Sequence, residues 1–177
     1  MTEYIGLLRG INVGRAKRIP MAELRSMLEE LGYSNVRTLL NSGNAVFWSE
    51  MANKKEIASQ IEAGIVARFG FSVKVVVLDS ADLQEIIEDA ALLPIANDPS
   101  RHMIAFVLDS SKLTKARPLL ETQWDPDVLA LGRRAAYLWC ANGILESKLI
   151  LAFGKAMGED TTTRNWATVL KLEAIVK

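Results

Sequence analysis

The apolar residues of this chain fall into short β-prone runs and stretches of helical spacing that follow one another in a set order, and the order occurs twice. Each switch marks a change of element, because side chains return to one face every two residues in a strand and every 3.6 in a helix. Tyr4 to Leu8 read as a strand, and Met21, Leu24, Leu28 and Leu31 as one face of a helix that Pro20 opens and Gly32 stops. Val36 to Leu40 and Ala45 to Trp48 flank the polar turn "NSGN", the composition of a hairpin. Asn53 and Glu56 form a capping box ahead of Ile57, Ile61, Ile65 and Phe69, and Val73 to Leu78 reads as a buried strand.

That order, βαββαβ, is the split ferredoxin-like unit, in which an antiparallel sheet carries both helices on one face. A third helix from Ser80, with Leu83, Ile86, Ile87 and Ala90 inward, runs toward the breaker segment Pro94 to Pro99. Beyond it the order recurs as a strand Met103 to Leu108, a helix starting near Ser111, and a hairpin of Val128 to Leu131 with Ala135 to Cys140. A helix carrying Leu145, Leu149, Phe153 and Met157 follows. A final helix starting near Arg164, with Trp166, Leu170 and Ala174 on one face, stands where the last strand of the second copy would be. The expected architecture is α+β: two ferredoxin-like subdomains with antiparallel sheets. They occupy residues 1–92, linking helix included, and residues 101–177, C-terminal helix included.

A chain of 177 residues buries roughly 70% of its unfolded surface, enough for a core without staples. Lys plus Arg and Asp plus Glu number 21 each, so no overall field holds a long nucleic-acid backbone, and anion binding must come from a local patch. One cysteine, Cys140, allows no internal disulfide and no thiolate metal cage, and a single histidine, His102, rules out a His/Cys zinc site. With no bilayer-length apolar stretch, the expectation is a cytoplasmic protein with no membrane partner, no metal and no cofactor. Asp79, Asp82, Glu85, Glu88 and Asp89 read as a solvated acidic face on the third helix, His102 as a surface residue, and Cys140 and Trp166 as core.

Three constellations carry polar chemistry. The first, "RGINVGRAKR", leaves the first strand with Arg9, Arg15, Lys17 and Arg18 and no acid, while Gly10 and Gly14 free the backbone around Asn12. Successive N–H groups turned toward one point, with cations around them, suit a phosphate or carboxylate. The loop lacks the Gly-Lys-Ser/Thr ending of a P-loop and the third glycine of a dinucleotide fingerprint, and a plain solvated turn is the alternative. The second is the hairpin apex, where Ser42 and Asn44 offer hydrogen bonds; turn formation explains them equally, and no base stands near Ser42 in the sequence. The third is Thr162, Thr163, Arg164 and Asn165, read as a helix start whose free N–H groups and guanidinium would seat an anion, with an internal carboxylate as the alternative.

The stretches "LLRGINVG...IPMAELR", "VRTLLNSGNAVF" and "TTTRNW.TVLKL" resemble the bacterial family called domain of unknown function 1697, along essentially the whole chain. The matching positions are Arg9, Gly10, Asn12, Gly14, Pro20, Ser42, Gly43, Asn44, Thr163, Arg164, Asn165 and Trp166, with Leu40, Asn41 and Ala167 as mild departures. The resemblance implies a duplicated ferredoxin-like protein and names no reaction. The leading functional expectation is therefore a phosphate-bearing ligand such as a nucleotide, bound by the basic loop and the helix start. A single-stranded nucleic-acid module is one alternative, although the strands lack the aromatic pattern of an RNA-recognition sheet. A cofactor-free enzyme or an interaction scaffold is the other, the scaffold being favoured if apolar residues around Trp48 and Trp124 are exposed. Catalytic residues and oligomeric state are unassigned.

Overall fold

A computed structural model describes residues 1–176; Lys177, the last residue of the second expected half, lies outside the described residues. The chain divides into two compact units, residues 1–81 with Val176 and residues 82–175, the division falling in the first turn of a helix.

The first unit holds β1 (Thr2–Leu8), α1 (Met21–Glu30), β2 (Ser34–Leu39), β3 (Asn44–Ser49), α2 (Lys54–Phe69) and β4 (Val75–Asp79). Its sheet runs in the order β2-β3-β1-β4, with every pairing antiparallel. Ile57, Ile61 and Ile65, the stripe visible in the sequence, are buried along α2. Asn53 Oδ1 caps that helix by accepting from the N–H groups of Lys55 and Glu56, and Gly70 ends it at φ 80°, a left-handed conformation that costs glycine no Cβ clash.

The second unit holds most of α3 (Ser80–Glu88), then β5 (His102–Phe106), a 3₁₀ stretch Ser110–Glu121, β6 (Val128–Leu131), β7 (Ala135–Trp139), α4 (Lys148–Met157), β8 (Thr162–Asn165) and α5 (Trp166–Ile175). Its sheet order, β6-β7-β5-β8, repeats the plan of the first with all pairs antiparallel. The two-subdomain α+β architecture expected from the order of elements is therefore present.

Three local expectations are corrected. The Thr162–Asn165 segment is not a helix start but the fourth strand, pairing Met103 with Asn165 through Phe106 with Thr162, so a strand does complete the second sheet and α5 follows it. Adjacent threonines favour extended backbone, and the helix cap is Asn165, whose Oδ1 accepts from the Thr168 N–H at 2.9 Å. The helix near Ser111 is a 3₁₀ stretch containing Pro118, and Leu145 lies outside α4, 96% exposed. Three of the four central strands are buried on both faces, every residue from Glu3 to Leu8 in β1 and all of β5 and β7, and in β3 Trp48 alone is half-buried.

Candidate functional site

Antiparallel pairing of β1 with β3 sets the end of β1 beside the start of β3, so the basic loop and the hairpin apex meet. Leu8 N–H donates to Gly43 O at 2.8 Å, and Asn12 Nδ2 donates to Asn41 O at 2.7 Å. Asn12 also binds its own loop, donating to Ile19 O at 2.9 Å and accepting from Ile19 N–H at 2.8 Å. Ile11 and Ile19 are buried beneath it, so the loop is anchored at both ends while residues 13–18 project outward.

The backbone here is strained. Among the described residues four non-glycine positions have left-handed φ, and three of them belong to this edge: Asn12 at 55°, Lys17 at 49° and Leu40 at 58°. Such conformations cost about 1–2 kcal/mol for a residue with a Cβ and collect at functional sites. Gly10, Gly14 and Gly43 take φ of 68°, 64° and 87° alongside them, and a Cβ on Gly43 would stand 2.8 Å from Leu8 Cβ and Ile11 Cδ1.

The loop's charge is positioned by carbonyl oxygens. Lys17 Nζ donates to Ser72 O at 3.0 Å, and Arg18 Nη1 to Gly14 O at 3.2 Å. Residues 9–22 contain no acid, and among the described residues no carboxylate forms an ion pair with Arg15, Lys17 or Arg18. Dipoles of carbonyls fix Lys17 and Arg18 without cancelling their charge. Arg9 is half-buried, its N–H donating to Lys74 O at 2.9 Å. Ser42 is exposed, whereas Asn44 is fully buried and donates to Leu39 O and Ser42 Oγ, a turn-forming role. Val13 and Leu40 add exposed apolar surface at the loop tip and apex, at 74% and 45%.

The remaining predicted residues, Thr162, Thr163, Arg164 and Asn165, lie in the second unit. Arg164 is buried, donates through Nη1 to Thr162 Oγ1 at 2.9 Å and Thr163 O at 2.8 Å, and is lowered by burial to about 10. His102, expected at the surface, is fully buried and stacked on Trp166 at 5.3 Å between ring centroids, with burial pulling its pKa down. Its alternation with Ile104 and Phe106 on one strand face is the signal that would have placed it inside. The acidic face of α3 is likewise corrected: Arg134 pairs with Asp82 at 2.9 Å and with Glu85, and Arg133 binds Asp89 at 2.8 Å and Glu85 at 2.6 Å. Hydrogen bonds from Arg133 hold the Asp89 carboxyl below its usual range. Among the described residues no group of three or more His, Cys, Asp or Glu could hold a metal ion, and no helix is long and apolar enough to cross a membrane.

The sequence profile of a family described as protein of unknown function (DUF1697) matches residues 1–137. The chain belongs to the DUF1697 family. A solved structure, that of the conserved bacterial protein SP0830 from Streptococcus pneumoniae, is similar over 99% of each chain, at 27% identity and a TM-score of 0.79. No protein with a curated description matches. The DUF1697 match covers the basic loop and the apex and ends within β7, before Thr162–Asn165. Sequence reasoning missed the strain at Lys17 and Leu40 and the anchoring by Ile11 and Ile19, because each depends on where distant backbone lies.

Proposed function

We propose that the edge formed by Arg9–Arg18 and the hairpin apex binds a compact phosphate-bearing ligand, a nucleotide being the leading class. The observation that carries this reading is the conjunction of three strained residues with cations held by carbonyls and left without a carboxylate. Backbone strain and uncompensated charge both oppose folding, so their placement on one loop calls for a function that uses them.

Magnitudes favour a ligand with more than phosphate to offer. A hydrogen bond to a charged group contributes about 1.5–3 kcal/mol and association costs at least about 4 kcal/mol, so one bond from each of three cations leaves at most about 5 kcal/mol, millimolar binding or weaker for the most part. Val13 and Leu40 supply the apolar contact that a base or sugar would add. Thr162, Thr163, Arg164 and Asn165 are not needed for this reading, which rests on the first unit.

The second reading, single-stranded nucleic acid, is limited by burial of β1, β5 and β7 on both faces and of all of β3 but the half-buried Trp48, which leaves the central strands that one ring for stacking. Calorimetric titration with ATP and with inorganic triphosphate, on the parent and on the triple variant Arg15→Ala, Lys17→Ala, Arg18→Ala, tests the proposal. Binding of ATP by the parent, weakened at least about tenfold in a variant of unchanged melting temperature, is expected from the lost charge-assisted bonds. Equal binding by both proteins would refute it, and a steep salt slope with oligonucleotides in place of ATP would favour the second reading.

A further inference from the structure

The apolar stripe of α2, Ile57, Ile61, Ile65 and Phe69, is buried at its first three positions and not at its fourth. Phe69 is the last residue of the helix and half-buried, and Gly70, left-handed at φ 80°, turns the chain so that Phe71 comes beside it. The two rings stack with centroids 6.2 Å apart and planes 30° off parallel, and Phe71 is half-buried as well. Part of a paired aromatic surface is thus left in water at the end of a helix whose other stripe residues are all in the core.

β4 runs antiparallel to β1, with Leu8 opposite Val75, so the connection from α2 into β4 reaches the same edge of the sheet as the end of β1 and the hairpin apex. The basic loop is tied to that connection. Arg9 N–H donates to Lys74 O at 2.9 Å, and Lys17 Nζ donates to Ser72 O at 3.0 Å, which brings the ammonium group to the residue next to Phe71. Glu62, the carboxylate at this connection, is taken up by the Val75 N–H at 3.0 Å and by Lys74 at 3.8 Å. The second unit makes the corresponding connection without rings: α4 ends in Met157, which is buried, and Gly158 to Thr161 carry the acids Glu159 and Asp160 on the way to β8. The sheet plan therefore requires neither the ring pair nor the cation beside it.

We propose that Phe69 and Phe71 are the base-stacking subsite of this edge, Phe71 offering its face to the nucleobase of a nucleoside phosphate whose phosphates Lys17 holds. The assignment rests on the basic loop being a phosphate site, and it adds what the loop's cations lack, a group that tells a nucleotide from bare polyphosphate. Every base has a π-face, and an aromatic ring stacks on it whatever hydrogen-bonding edge the base carries. The preference is therefore for a nucleoside phosphate over inorganic phosphate, with little choice among bases.

Titrations of the parent, Phe71→Ala and Phe71→Leu with ATP and with inorganic triphosphate test the assignment. Loss of the stacked base should weaken ATP binding roughly 5- to 150-fold in both variants and leave triphosphate binding within about twofold of the parent. Leucine is included because it keeps apolar bulk without a π-face. In the unsubstituted protein, magnetisation transfer between the adenine protons and the Phe71 ring should be seen with ATP bound, which decides the matter even if both variants fail to fold. ATP bound equally by the parent and a folded variant, or bound adenine with no transfer to either ring, would overturn the stacking subsite and leave the basic loop as a phosphate site. An equal loss of ATP and triphosphate binding would overturn it too, by showing that the ring only supports the loop. A parent that binds neither compound would overturn the subsite and the phosphate site together.

Discussion

The two units share one sheet plan and differ in how the chain leaves the central strand. β5 passes through residues 107–109 and enters its 3₁₀ stretch at once, whereas β1 leaves through residues 9–20, strained and cationic, before α1 begins. Since the second sheet closes on a short connection, the topology does not require the long one. The second unit serves as an internal control: extra loop length in the first is free to serve binding, and loops of that kind are where rigid scaffolds place function. The polar groups differ in the same sense. The first unit sets its loop cations at the surface, while the second packs Arg164, His102 and the Tyr137 hydroxyl inside, the last donating to Ile86 O at 2.6 Å.

Alanine at the two hairpins gives the largest contrast. Gly43→Ala combines a left-handed φ with a Cβ 2.8 Å from Leu8 and Ile11, and should cost about 3 kcal/mol or more in urea unfolding. Gly132→Ala meets Tyr137 Cε2 at 2.8 Å without that backbone penalty and should cost about 1–3 kcal/mol. Equal losses would show that the first hairpin is not more tightly specified than the second.

Asn12→Ala comes next. It removes the bonds to Asn41 O and Ile19 O and leaves the buried Ile19 N–H unpaired, a loss of about 2 kcal/mol. Faster amide exchange confined to residues 10–19 should accompany it; no local change there would mean that Asn12 does not clamp the loop.

The buried histidine gives a pH signature to the second unit. Burial lowers the His102 pKa from 6.5, so the folded state prefers the neutral ring. Its stability is then full above about pH 6.5 and falls as pH drops toward the lower folded value, by at most about 1.4 kcal/mol per pH unit. Melting at about pH 5 and pH 7.5, with His102→Gln flattening the difference, checks it. Arg133→Ala should have the smallest effect, a few tenths of a kcal/mol that weakens in high salt, because the guanidinium itself is exposed.

Much of this comparison was readable from spacing. Periodicity is local, so Ile57, Ile61 and Ile65 located α2, and the repeated element order located both sheets. What could not be read depends on distant backbone. Thr162–Asn165 is too short to declare itself a strand, and threonine is at home both in strands and at helix caps. The pairing of Arg133 and Arg134 with α3 joins residues far apart in the chain. Glycines and cations announced the basic loop, but its contact with the apex and the strain at Lys17 and Leu40 appear only once β3 lies beside β1.

Amide chemical shifts of the ¹⁵N-labelled protein, followed as ATP is added, test the account at its centre. Movement of the Gly10, Asn12, Gly14, Ser42 and Gly43 resonances, with β5–β8 unaffected, is the predicted result. A spectrum in which these amides stay fixed at millimolar ATP, or in which residues of the second unit shift instead, would contradict it.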